Sequence, residues 1–109
     1  MTTSAPPAAA ADAVERVLRT DGGRWALAGP LTINNVALVL AASVDVPLPP
    51  TGRVDLKDVD PVDSAGVALL LEWKRRATLE RKALNFENMT PSMASLAELY
   101  GVDGLLSSP

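Results

Sequence analysis

Two groups of side chains have the types and spacing for chemistry: the pair Asp63-Ser64, and the run of aspartates Asp55, Asp58, Asp60 and Asp63. A serine beside a carboxylate invites a nucleophilic reading, yet the 109 residues include no His and no Cys. That removes the commonest general base and metal ligand, and with them the ordinary catalytic triad, zinc hydrolase, thiolate zinc site and disulfide framework. The aspartates offer oxygen ligands of the kind that suit Mg²⁺ or Ca²⁺, but their spacing lacks the glycine and the closing glutamate of a calcium loop. Turn formation and helix capping are the ordinary work of such residues. As acid/base pairs they lack an accompanying pocket motif. Neither Gly-x-x-x-x-Gly-Lys-Ser/Thr nor Gly-x-Gly-x-x-Gly occurs, so any nucleotide handled nearby is expected on a partner. No cofactor, no metal and no enzymatic activity are expected.

Ser64 carries three readings. As an N-cap it accepts a hydrogen bond from a backbone N–H one turn in and contributes about 1 kcal/mol. As a phosphoacceptor it gains charge beside Asp63, which repels a phosphate, at a helix N-terminus, which attracts one. As an unmodified hydroxyl it sits at the centre of a docking face formed by Asp63, Ser64, Ala65 and Gly66. Ala65 and Gly66 are small enough to leave the helix end approachable from outside.

The elements that must position this turn can be read on either side of it. Arg53 to Leu56 alternates as a buried strand, Asp60-Pro61 is expected to stop it, and Asp63-Ser64 opens a long helix from Ala65 to Arg81. Leu69, Leu70, Trp73 and Ala77 form its apolar side. Lys74, Arg75, Arg76, Arg81 and Lys82, half of the positive charge, are expected on a solvated face. Ala83 to Glu87 then reads as a strand parallel to the first. Thr90-Pro91 opens a helix with Met93, Leu96, Ala97 and Tyr100 at helical spacing, and Gly101 closes it. Val102, Leu105 and Leu106 are expected to pack a last short turn, with Trp73 and Tyr100 as core aromatics. Upstream, Val14 to Thr20 and Arg24 to Ala28 flank Asp21-Gly22-Gly23, a hairpin signature. Gly29-Pro30 is expected to break the second strand, and Thr32 to cap a helix from Ile33 to Val44. The Pro-rich Val46 to Gly52 is an extended connection.

The helix after Thr32 has one anomaly. From Asn35 to Val44 it carries no charge, and Leu38 and Leu40 point about 200° apart at 100° per residue, so both cannot face the sheet. One is either a scattered exposed apolar residue or part of a patch for a partner.

Composition sets the outer bounds. With 48% hydrophobic residues and a net charge of −3, the chain reads as one small folded domain from residue 13 to 109. A disordered Ala/Pro-rich tail is expected over residues 1 to 12. No basic run interleaved with aromatics supports nucleic-acid binding. No apolar stretch long enough for a membrane span or secretory leader occurs, so a cytoplasmic protein with no direct membrane insertion is expected.

The turn Asp63-Ser64-Ala65-Gly66 leading into Val67-Ala68-Leu69-Leu70 resembles the signature of STAS domains, shared by anti-sigma-factor antagonists and by cytoplasmic modules of transporters. Leu84-Asn85-Phe86-Glu87-Asn88 and Leu96-Ala97-Glu98-Leu99-Tyr100-Gly101-Val102-Asp103, at their spacing from that turn, are most similar to the MlaB group, the STAS subunits of phospholipid-transport ABC systems. The likeness runs from about residue 14 to 106. It implies an α/β fold with a small mixed sheet of four to five strands, an N-terminal hairpin followed by parallel strands, and helices packed on it. It also implies that Ser64 is used for partner contact or phosphorylated. The implied partner is the ABC transporter ATPase subunit (MlaF-like) and, through it, an integral-membrane permease at the cytoplasmic face of the inner membrane. The alternative is an anti-sigma-factor serine kinase that switches the domain by phosphorylating Ser64.

Overall fold

The computed structural model describes residues 17–107; the expected tail, and the first residues of the strand expected from Val14, lie outside that range. Strands β1 (Leu18–Asp21) and β2 (Arg24–Leu31) form an antiparallel hairpin, and β2, β3 (Arg53–Val62) and β4 (Asn85–Glu87) continue in parallel, giving one four-stranded sheet in the order β1-β2-β3-β4. Gly22 and Gly23 at the hairpin tip both take positive φ, 60° and 82°, which is why the turn needs two glycines. Helix α1 (Val36–Ser43) joins β2 to β3, and α2 (Ser64–Leu79) joins β3 to β4. Then α3 (Pro91–Leu99) and the short α4 (Asp103–Ser107) close the domain.

The core forms where period-two and helical patterns meet. Trp25 and Leu27 of β2 and Val54 and Leu56 of β3 are buried, alternating with residues that point to the other side of the sheet. Val67, Leu69, Leu70, Trp73 and Ala77 of α2, Met93 and Ala97 of α3, and Leu106 of α4 complete one continuous cluster with them. At its centre the rings of Trp25 and Trp73 meet edge to face, centroids 5.2 Å apart and planes at 74°. Each indole N–H is satisfied: Trp25 donates to the Pro47 carbonyl at 3.2 Å and Trp73 to the Ser43 hydroxyl at 2.9 Å.

Several boundaries differ from the sequence expectation, each for a physical reason. The first strand starts at Leu18, because Val17 is helical and tucked into the core. Gly29-Pro30 does not end β2; Gly29 adopts φ 87° and the β2/β3 register shifts beside it, so the pair marks a strand irregularity. Asp60-Pro61 does not end β3 either. β4 pairs only with Arg53, Val54 and Asp55, so at Pro61 that flank of β3 has no strand neighbour and a missing N–H breaks no ladder there; the Asp60–Pro61 peptide is cis. The helix expected from Ile33 begins at Val36 with Asn35 at its N-cap. β4 begins at Asn85, two residues after the expected start, and α2 ends at Leu79, with Arg81 in the left-handed region at φ 57°.

Three side-chain expectations are also corrected. Tyr100 is 51% exposed at the C-terminus of α3, and Leu105 is 60% exposed while Leu106 turns inward. The basic run of α2 is not a uniformly solvated face. Arg76 donates to the carbonyls of Ser43 and Val46, each at 2.9 Å, and pairs with Glu80 at 2.7 Å. Lys74 donates to the Leu84 carbonyl and lies over the Phe86 ring. Burial holds its ammonium below the usual lysine range.

Candidate functional site

The turn between β3 and α2 is assembled around Asp63. Its backbone is extended, φ −129° and ψ −170°, the geometry of an N-cap. One carboxylate oxygen accepts the Ala65 N–H at 2.9 Å, the other the Ile33 N–H at 2.9 Å. The single side chain therefore caps α2 and ties the β2–α1 turn to it. This corrects the capping expectation for Ser64: the cap is Asp63, and Ser64 is the first residue of the helix, exposed, its hydroxyl without a hydrogen-bond partner among the described residues. Both Asp63 oxygens accept backbone donors, and among the described residues no side chain is hydrogen-bonded to the Ser64 hydroxyl. The turn presents an exposed hydroxyl on a helix end already capped by its neighbour.

The other two turn residues divide the work. Ala65 is half-buried, whereas Gly66 is buried. A Cβ on Gly66 would lie 2.5 Å from the Leu31 carbonyl oxygen and 2.7 Å from a Val62 methyl. Gly66 faces inward, and what it provides is close approach of α2 to the ends of β2 and β3. The Leu31 carbonyl it abuts also accepts the Asp63 N–H at 3.3 Å. Sequence reading missed this role because closeness of approach depends on the end of β2 at Leu31, 35 residues before Gly66 in the chain.

Residues 32–35 form a turn fixed from several directions. The Thr32 N–H donates to the Asn35 side-chain oxygen at 2.9 Å, the Asn35 amide donates to the Pro30 carbonyl at 2.7 Å, and the N–H groups of Asn35 and Val36 reach the Thr32 carbonyl at 3.0 and 2.9 Å. Ile33, expected as the first residue of the helix, instead rides on this turn and is 76% exposed. On α1, Leu38 is 50% exposed and Leu40 is half-buried against the core. The two leucines do diverge, as their spacing requires. Leu40 lines a groove of about 240 Å³ with Val44, Trp73, Arg76 and Leu79, at the opposite end of α2 from Ser64.

The aspartate run does not converge. Asp55 is 3% exposed on the sheet face away from the helices, where its carboxylate accepts from Asn88 at 3.1 Å and from the Lys57 N–H at 3.0 Å, with Arg24 at 3.6 Å. Burial pushes its pKa up, but the Asn88 and Lys57 hydrogen bonds and the charges of Lys57 and Arg24 outweigh that, leaving it below the ordinary carboxylate value. Asp58 and Asp60 are exposed. Among the described residues no three His, Cys, Asp or Glu side chains are grouped to hold a metal ion.

Comparison with known proteins adds three findings. A family model described as "Mlab, STAS domain" matches residues 13–107. Among solved structures, a chain titled "Crystal Structure Analysis of Mglu" superposes with a TM-score of 0.53 at 24% identity, over 72% of this chain. The match spans 21% of that chain's length and bears on the fold alone. No curated protein matches the sequence.

Proposed function

The chain belongs to the MlaB-type STAS-domain family, and from that premise we propose that it is a non-enzymatic subunit that docks on the cytoplasmic ATPase of a phospholipid-transporting ABC system. The observation that carries the reading is the Ser64 turn: an exposed hydroxyl with no partner among the described residues, on a helix end that Asp63 already caps. A group left over by the fold at a rigid, small-residue corner suits recognition by another surface. Asp63, Ser64 and Ala65 form the centre of the docking face and Gly66 sets its depth. Leu38, exposed on α1, adds apolar area to the face, whereas Leu40 packs toward the core at the other end of α2 and stands outside it. Binding one ATPase conformation more tightly than another shifts the ATPase population toward it. Among the described residues no helix is long and apolar enough to cross a membrane; in this reading the domain reaches the inner membrane's cytoplasmic face through the ATPase and its permease.

The same exposed hydroxyl favours a second reading, an anti-sigma-factor antagonist whose Ser64 is phosphorylated by a serine kinase. Coexpression with the ABC ATPase of the same cell and size-exclusion chromatography separate the two. The wild type is expected to co-elute with the ATPase. Ser64→Asp, whose carboxylate is favourable at a helix N-terminus, is expected to stay folded and to elute apart from it. Phosphate on Ser64 and co-elution with a serine kinase in place of the ATPase would select the second reading. A folded Ser64→Asp variant with unchanged ATPase binding would remove the Ser64-centred docking face.

A further inference from the structure

We infer that Ile33 is the apolar anchor of the docking face, inserted into a socket on the partner ATPase that is rimmed by Lys or Arg. The inference deepens the docking reading above and rests on it.

Ile33 is the most exposed large apolar side chain among the described residues, at 76%. Scattered exposed apolar residues are ordinary, but this one is held still. Its own N–H is fixed by the Asp63 carboxylate, and the residues around it are fixed through Thr32 and Asn35. A β-branched side chain has few rotamers to lose, so an immobilised isoleucine buries its area in a partner at small entropic cost. The Asp63 bond also sets where it stands. One carboxylate joins the backbone of Ile33 to the first turn of α2, so the anchor and the free Ser64 hydroxyl move as one unit.

Charge identifies the complementary surface. The charged residues flanking the turn are Asp60 near the end of β3 and Asp63 at the cap, and between Leu31 and Gly52 the only charged residue is Asp45; Asp58 lies further back, in a groove it shares with Arg19, Arg24 and Lys57. Asp60 is exposed and makes no ion pair among the described residues. An apolar knob on an acidic corner is matched by an apolar socket with cations at its edge. An anionic lipid surface would be repelled by the same corner.

The test measures affinity for the purified ABC ATPase. Losing a fully buried Ile contact weakens binding by about 10- to 100-fold, so Ile33→Ser is expected to bind at least tenfold more weakly, with the fold checked by circular dichroism and Tm. Ile33→Leu should retain binding within about threefold, as a near-isosteric apolar swap. Leu99→Ser, a change at an equally exposed leucine (75%) on α3, should leave it unchanged. Asp60→Lys should weaken binding and reduce its salt dependence. If Ser64→Asp loses the ATPase while folded Ile33→Ser stays within twofold of wild type, the anchor is refuted and the docking reading stands. Equal losses from Ile33→Ser and Leu99→Ser refute it as well. A wild type that does not bind the ATPase overturns the docking reading and the anchor together.

Discussion

Gly66→Ala is expected to destabilise the domain although it replaces glycine by the best helix former. A Cβ at this position would stand 2.5 Å from the Leu31 carbonyl oxygen, 2.7 Å from a Val62 methyl and 3.1 Å from the Leu31 Cβ. Two of these neighbours cannot swing away. The Leu31 carbonyl accepts the Asp63 N–H, and Leu31 pairs with Val62 at the end of the β2/β3 ladder. Relief therefore requires α2 to move off the sheet. Overpacking costs about 1–3 kcal/mol, and contact with a backbone atom at this distance belongs at the upper end, about 3 kcal/mol. Alanine returns about 1 kcal/mol of helix propensity. A net loss of about 2 kcal/mol lowers Tm by about 8–16 °C in a domain of this size. Gly104 is the control, because it too lies in a helix but a Cβ there meets nothing within 4 Å. Gly104→Ala should leave Tm unchanged or slightly raised. Thermal and urea unfolding followed by circular dichroism read both. A Gly66→Ala variant within 2 °C of wild type, a span worth only about 0.25–0.5 kcal/mol, would show that close packing is not why glycine occupies this position.

Two further outcomes follow from the same corner and from the buried carboxylate. Asp63→Ala loses the α2 cap and the tie to Ile33 and should cost about 1–2 kcal/mol, whereas Ser64→Ala should stay within about 0.5 kcal/mol in urea unfolding; the reverse order would return the capping role to Ser64. Asp55 has its pKa lowered in the fold, so its charged form contributes stability that is fully present above the unfolded carboxylate pKa of about 3.9 and fades as pH falls through the folded value. The stability gap between wild type and Asp55→Asn should therefore be constant from pH 7 to 5 and shrink below about pH 4; a gap that widens on acidification would contradict the lowered pKa.

What could be read from the sequence was what is local. The Gly22-Gly23 tip, the Thr90-Pro91 start of α3, the Gly101 stop and the apolar stripe of α2 each lie within one turn or one period of their own signal, and each stands where expected. The misses are long-range. Pro61 sits inside β3 because β4 is too short to reach it, a fact about a strand 24 residues further along the chain (61 and 85). Arg76 looks like one cation in a basic run, yet it holds two carbonyls about 30 residues away. Ser64 and Asp63 are both good capping residues, and adjacent sequence cannot choose between them. The second oxygen of Asp63 finds Ile33 across 30 residues, and that tertiary bond favours Asp63 at the cap position.

The placement of α1 shows how far these long-range contacts govern the proposed docking face. An eight-residue helix with no side-chain cap is too short to persist unaided, so its position comes from what holds it. At its leading end the preceding turn is bound to Asp63, just ahead of α2. At its trailing end Trp73 donates to the Ser43 hydroxyl and Arg76 to the Ser43 carbonyl, both from the second half of α2. Asp63 and Arg76 are 13 residues apart, about 20 Å along a helix at 1.5 Å per residue, so α1 is pinned at two separated points to one rigid element. Leu38 lies between the pins, and the Ile33 N–H itself makes the first. A change at Arg76, remote from Ser64, thereby alters the face a partner meets by releasing one end of the helix that carries it.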